Sequence, residues 1–123
     1  MTSGEKGRFG ENEACRYLAA NGYEILARNY RSRYGEIDLI AQHNGTVVFV
    51  EVKLRRDRAF ADAAQAVGPS KQEKLRKTAL LWLSEHGEQP ARFDVIEVYT
   101  GIARQTAFGE TYRVNIRHIE NAF

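Results

Sequence analysis

Asp38, Glu51 and Lys53 are the residues in this chain whose types and spacing could do chemistry. They flank Asn44-Gly45, a strong hairpin signal, because a type I′ turn needs positive φ at both central residues and these two tolerate it. With a two-residue loop, pairing across the turn sets His43 opposite Thr46, Gln42 opposite Val47, Ile40 opposite Phe49, Asp38 opposite Glu51 and Glu36 opposite Lys53. Side chains alternate between faces, so Asp38, Glu51 and Lys53 share one. Opposed residues have Cβ atoms roughly 5 Å apart. Two carboxylates would then lie side by side with an ammonium next to them. Like charges so placed repel. A shared proton, Lys53 or a divalent cation must offset that cost. Mg²⁺ takes oxygen ligands at about 2.0–2.1 Å, often one or two carboxylates with waters and a substrate phosphate. The plainer reading is a carboxylate pair neutralised by Lys53 with no chemistry attached. Against it, Val47-Val48-Phe49-Val50-Glu51-Val52 is apolar on both faces, as in a central strand. Charges at the end of a buried strand are costly unless paired or metal-bound.

The elements that must position these groups follow from pattern. Residues 1–7 are expected to be frayed. A helix is predicted from Arg8 or Phe9 to about Asn21, with Ala14, Tyr17 and Leu18 at helical spacing and Gly22 as the stop. Glu13 sits on its boundary, with Arg16 as an i,i+3 partner. Tyr23–Tyr30 reads as a strand, Arg31–Gly35 as a polar loop, and the hairpin follows. Residues 55–69 read as an irregular, mobile connection, with a short helix around Ala59 to Ala66. A second helix is predicted over Ser70–His86, with Ser70-Lys71-Gln72-Glu73 as a capping box, or Gly68 as N-cap with Pro69 at N1. Leu75, Ala79, Trp82, Leu83 and His86 form its apolar stripe. Gln72 lies one turn before Leu75, at the inner side of an N-terminus that would favour an anion, or is an ordinary first-turn residue. His86 suits the negative end of the helix. Arg92–Tyr99 is another strand, in which Asp94 reads as a structural hydrogen-bonding carboxylate. Residues 100–109 read as turn-rich, and Tyr112–Ile119 as a final strand with Arg113 and Arg117 outward. The order is one mixed sheet flanked by helices, an α/β (α+β) single domain over residues 1–123.

Composition narrows the function classes. The chain has 123 residues, 43% hydrophobic and 28% charged, with a formal net charge of +2. That suits one globular domain with a real core. No apolar run approaches the roughly 20 residues that span a membrane. The first residues lack the apolar core of a signal peptide. One cysteine and three scattered histidines match no zinc spacing. Cys15 reads as a small buried helix residue, and the expected location is cytoplasmic. The small net charge says little, but its distribution says more. Arg28, Arg31 and Arg33 precede the hairpin, Lys53, Arg55, Arg56 and Arg58 follow it, and Lys71, Lys74, Arg76 and Lys77 open the second helix. Arginine suits bidentate phosphate contacts. Arg31, Arg33, Arg55, Arg56, Lys71 and Lys74 are therefore the expected nucleic-acid contacts.

An Asp on one strand and Glu-x-Lys on the next, here Asp38 with Glu51-Val52-Lys53, resembles the signature of the PD-(D/E)XK nuclease superfamily, whose shared core is α-β-β-β-α-β. Gly10-Glu11-x-Glu13-Ala14, Gly22-Tyr23-x-Ile25-Leu26-x-Arg28-Asn29, Gly35-Glu36-Ile37-Asp38-Leu39-Ile40, Val48-Phe49-Val50-Glu51-Val52-Lys53 and Arg92-Phe93-Asp94-Val95 resemble the YraN-like family of small bacterial proteins. That family is described by similarity to archaeal Holliday junction resolvases. Ile37 stands where the superfamily name has Pro. The resemblance implies a restriction-endonuclease-like core and a magnesium- or manganese-dependent endonuclease acting on DNA, branched or otherwise structured. It implies that Glu13 is a first-helix acid of the active site, Asp38 and Glu51 are metal ligands with the carbonyl of Val52 as a third, and Lys53 stabilises charge. Gln72 or Lys71 would serve on the second helix. By analogy with resolvases on a two-fold symmetric junction, it implies a homodimer. Two further readings stand beside this one: a nucleic-acid-binding module without cleavage, and a structural domain in which the charged groups form a buried salt-bridge network.

Overall fold

A computed structural model describes residues 2–56 and 67–123. The elements run α1 (Ser3–Ala20), β1 (Glu24–Ser32), β2 (Gly35–His43), β3 (Thr46–Arg56), α2 (Pro69–His86), β4 (Ala91–Thr106) and β5 (Gly109–Ile119). The five strands form one mixed sheet in the order β1-β2-β3-β4-β5. All pairs are antiparallel except β3 with β4. A parallel pair needs a long crossover, and α2 lies in it. The expected α-β-β-β-α-β core is present, with β5 added at the edge.

Each helix covers one face of the sheet. Ala14 and Leu18 of α1 pack with Leu39, Ala41, Val48, Val50, Ile96 and Val98. Leu75, Ala79 and Trp82 of α2 pack with Ile37, Ile40, Val47 and Phe49. This two-sided burial is why β3 alternates no polar residues through its first half. Gly10 brings α1 close to β3: a Cβ there would lie 3.6 Å from side-chain atoms of Val52 and Leu54. The central hairpin has the expected turn, with Asn44 at φ 50° and Gly45 at φ 78°.

Element boundaries differ from expectation in several places. The expected Arg31–Gly35 loop narrows to residues 33–34, because β1 runs on to Ser32 and β2 starts at Gly35. Residues 3–7 are helical, because Thr2 and Glu5 close a capping box five residues before the expected start. In α2 the second of the two expected caps is the one found: Gly68 is the N-cap and Pro69 takes the first turn; Ser70 makes no cap. Strand β4 continues to Thr106, and the turn falls at residues 107–108. Gly101 reads as a turn signal locally but pairs with Arg113 of β5, which keeps the backbone laddered. The short helix expected around Ala59 to Ala66, and the mobile connection with it, lie outside the described residues. Among those residues no helix is long and apolar enough to cross a membrane.

Candidate active site

The site forms where β2 and β3 part. Their register runs from His43↔Thr46 to Leu39↔Val50 as the turn dictates, then stops. The expected pairs Asp38–Glu51 and Glu36–Lys53 are not rungs of this ladder. Instead the Val52 N–H donates to Asp38 Oδ2 at 2.8 Å, a side chain standing in for a strand carbonyl. Side chains from both faces of the sheet meet in the opening.

From α1 comes Glu11. Oxygen atoms of Glu11, Glu36 and Asp38 all lie within 4.8 Å of one another. Glu36 and Asp38 both come from β2. Asn29 of β1 ties the group together. Its Nδ2 donates to both oxygens of Glu11 and to Glu36 Oε1, each at 3.1 Å. Asn29 has φ 52°, and the rungs on either side of it, Arg28↔Leu39 and Tyr30↔Ile37, set it opposite Asp38. Asparagine is among the few residues that enter the left-handed region readily. Backbone and side chain therefore both require it. Arg31 Nε donates to Glu36 Oε2 at 3.1 Å, and Arg28 lies 3.7 Å from Glu11.

On the other side stand Glu51 and two lysines. Glu51 is 4% exposed. Its Oε2 lies 3.8 Å from Lys53 Nζ and in contact with Lys71 Nζ. Burial pushes the Asp38 carboxyl up to about 8, reinforced by a hydrogen bond to Glu51 and by the Glu51 charge. Burial also acts to raise Glu51, but the bond to Asp38 and the ammonium of Lys71 outweigh it and hold Glu51 low. The two carboxyls thus keep one proton between them, on Asp38. Burial lowers Lys53, against the pull of Glu51. Lys71 is raised, since Glu51 outweighs the cost of its burial.

One expected assignment changes, and one pair of alternatives is decided. Glu13 is not brought to the carboxylates; it pairs with Arg16 at 3.1 Å, and Glu11 occupies the site. The signal was the spacing Glu11, Ala14, Leu18 (i, i+3, i+7), which puts Glu11 on the inward stripe. Gln72 turns away, donating to the Val67 carbonyl at 3.0 Å, so Lys71 is the α2 residue at the site. Among the acidic, histidine and cysteine side chains of the described residues, three oxygens converge, from Glu11, Glu36 and Asp38. They form an all-oxygen, hard-donor set that carries three negative charges once Asp38 has lost its proton, which fits a magnesium- or manganese-like cation.

The expected nucleic-acid contacts divide. Arg31 is exposed but bound to Glu36. Arg33 donates to Tyr34 Oη at 2.8 Å and lies over its ring, as does Lys77. Arg55 lies 3.5 Å from the fully buried Glu97. Arg56 and Lys74 are exposed, the stem of Lys74 passing over Gly35.

Asn29→Ala is expected to lower divalent-cation affinity by about 10- to 100-fold, the usual effect of losing a group that orients metal ligands. Asn29→Gly keeps the backbone conformation but loses the amide. Both variants should lose cation affinity, and only the alanine variant should also pay for backbone strain. Calorimetric titration with Mn²⁺ measures the first effect and thermal denaturation the second.

A model of the uncharacterised protein family UPF0102 matches residues 10–98. A UPF0102 protein of Parafrankia sp. is 50% identical over 95 residues, covering 76% of this chain and 80% of that protein. One of Symbiobacterium thermophilum is 46% identical over 119 residues, covering 95% and 94%. One of Rhodococcus jostii is 43% identical over 119 residues, with the same coverage.

Proposed function

We propose that this chain, which belongs to the uncharacterised protein family UPF0102, is a divalent-metal-dependent endonuclease of the PD-(D/E)XK superfamily that hydrolyses phosphodiester bonds in DNA. The observation that carries the reading is the meeting of Glu11, Glu36 and Asp38 beside Glu51, Lys53 and Lys71 at the parting of two strands.

Glu11, Glu36 and Asp38 would hold Mg²⁺ or Mn²⁺. Bound there, the cation supplies charge stabilisation at the phosphoryl oxygen and a more acidic water. Asp38 would have to lose its proton to act as a ligand, so cation uptake is expected to release a proton and to tighten as pH rises toward about 8. Asn29 and Arg31 hold the carboxylates in place. Lys53 presents its ammonium to the phosphate, where negative charge grows as the bond breaks. Glu51 keeps Lys53 and Lys71 aimed at the same point. Exposed Arg and Lys on the rim follow the backbone without reading sequence. Nothing in the chain resembles a helix-turn-helix or zinc finger, which favours recognition of DNA structure, such as a branch. We place the protein in the cytoplasm.

The test is cleavage of labelled four-way junction, flap, duplex, single-stranded DNA and RNA, in Mg²⁺, Mn²⁺ or EDTA. Wild type should cut at least one DNA substrate in metal and none in EDTA. Salt-sensitive binding without cleavage under any condition would replace this reading with a binding module on the same fold.

A further inference from the structure

We propose that the outer half of the β4–β5 hairpin, residues 101–114, is a nucleic-acid-gripping arm, with Arg104 and Arg113 on the phosphate backbone and Phe108 on unstacked bases. The proposal rests on the nuclease reading above.

The arm grows out of the active-site end of the sheet. Strands β3 and β4 run parallel, and among the described residues their ladder passes Lys53↔Glu97 and reaches Arg56↔Thr100. Beyond Thr100, the partner of β4 among the described residues is β5 alone. From the level of Lys53 to the tip, nine residues of β4 give a contour of roughly 30 Å, close to one turn of duplex, about 34 Å.

The ladder also decides which side chains share the catalytic face. Glu97 pairs with Arg117, Gly101 with Arg113, and Arg104 with Thr111, one extra residue being absorbed between Ile102 and Arg104. Glu97 lies beside Lys53 and 3.5 Å from Arg55, on the side that bears Glu51. Arg104, Arg113 and Arg117 therefore continue the face of Lys53 and Arg55 outward from the cleft. The acid on this stretch, Glu97, is fully buried and held between Arg55 and Arg117, each at 3.5 Å, so it does not cancel the outer arginines. Glu110 points to the other side and accepts a hydrogen bond from Tyr112.

Phe108 completes the argument. It stands at the turn with its side chain wholly in water, at 101% exposure, and residues 104–113 are all exposed. A bare phenyl ring with no polar handle gains most from a flat apolar partner. Base faces are such partners, and stacking on them tolerates any sequence. In a continuous duplex those faces are covered; in a single strand or at a branch they are open. The arginines make the arm cationic, which a nucleic acid satisfies and an unrelated apolar surface does not.

The experiment uses the full chain carrying Asp38→Asn, so that substrate is not consumed, with and without Phe108→Ala or the pair Arg104→Glu and Arg113→Glu. Fluorescence anisotropy reads binding to a labelled single strand, a four-way junction and a continuous duplex across a salt series. Cleavage by the otherwise wild-type protein is measured in parallel. Phe108→Ala should weaken single-strand and junction binding on the order of tenfold and leave the duplex unchanged. The double charge reversal should weaken all three and reduce the salt slope on duplex by about two. Thermal midpoints should not move, since these side chains bury nothing. If wild type cleaves and the arm variants bind as it does, the arm proposal falls and the nuclease reading stands. If the arm variants convert a dimer to monomers in light scattering with affinity per protomer intact, the arm is a clasp between copies and the proposal falls. If wild type neither binds nor cleaves any nucleic acid, the nuclease reading falls and takes the arm with it.

Discussion

Asp38→Asn is expected to reduce metal-dependent cleavage by about 10²- to 10³-fold, the scale set by removal of one group that organises charge in an active site. The same change should make the metal-free protein more stable at high pH. Asp38 titrates near its ordinary 3.8 in the unfolded chain and at about 8 in the fold. Between these values the folded state holds a proton that the unfolded state has released. Stability from this group is thus complete below about pH 4 and is lost as pH rises toward about 8. Asparagine keeps an oxygen for the Val52 N–H and donates to Glu51 without ionising. Above pH 8 it relieves the repulsion between two buried carboxylates. Thermal denaturation in EDTA from pH 5 to 9 should show wild type weakening with pH relative to Asp38→Asn. Parallel curves for the two proteins would rule out the shared proton, and full cleavage by the variant would remove Asp38 from the chemistry.

The second large effect lies on the neighbouring strand β4, where Asp94 pairs with Val50 of β3. Asp94 is fully buried and accepts four hydrogen bonds: Arg92 Nε at 3.0 Å, Arg92 Nη2 at 3.2 Å, His118 Nε2 at 2.6 Å and the Asn121 N–H at 2.9 Å. With Asp94 ionised, His118 donates through Nε2. In the neutral ring Nδ1 then accepts from Tyr17 Oη at 3.0 Å. Arg92 in turn donates to Tyr23 Oη at 2.8 Å. One carboxylate therefore fastens β5 and the C-terminal residues to β4, with links onward to α1 and Tyr23. Asp94→Ala leaves a largely buried guanidinium and a buried imidazole without their acceptor. It should cost about 3–5 kcal/mol, as breaking one partner of a buried ion pair does, and lower the thermal midpoint by roughly 10–20 °C. Asp94→Asn should cost less, because one acceptor oxygen remains. Burial acts to raise Asp94, but His118, Arg92 and the Asn121 N–H outweigh it and hold it below the usual range. Its stabilisation is present above the ordinary carboxylate range and fades as pH falls through the folded value. Wild type and Asp94→Asn should converge in acid. Loss of cleavage by Asp94→Asn with its midpoint unchanged would contradict this structural role.

Asp94 shows how the two kinds of information divide. The expectation of a structural carboxylate needed only its place at the start of an apolar strand, and it agrees with the network found. Local pattern was likewise enough for the Asn44-Gly45 turn, for β3 as a central strand, and for Gly22 as a helix stop. These are decided within a few residues, by allowed φ values and by the period of side-chain burial. The capping box at Thr2 and Glu5 was equally local and was readable from its spacing.

The composition of the site was not local. The chain by itself identifies Asp38, Glu51 and Lys53 as an unusual grouping, and strand pairing with period two brings them near one another. It does not say that the ladder ends at Leu39↔Val50, because that depends on the Asp38 side chain taking the Val52 N–H. Only that opening lets Glu11 from α1 and Lys71 from α2 reach the strands from opposite faces. Glu11 over Glu13 and Lys71 over Gln72 are choices between neighbours on one helix, decided by the rotation at which each helix packs on the sheet. Asn29 reads in the chain as an ordinary strand residue. Its left-handed backbone and its three hydrogen bonds exist only once β1, β2 and α1 stand together, because no carboxylate it holds belongs to its own strand.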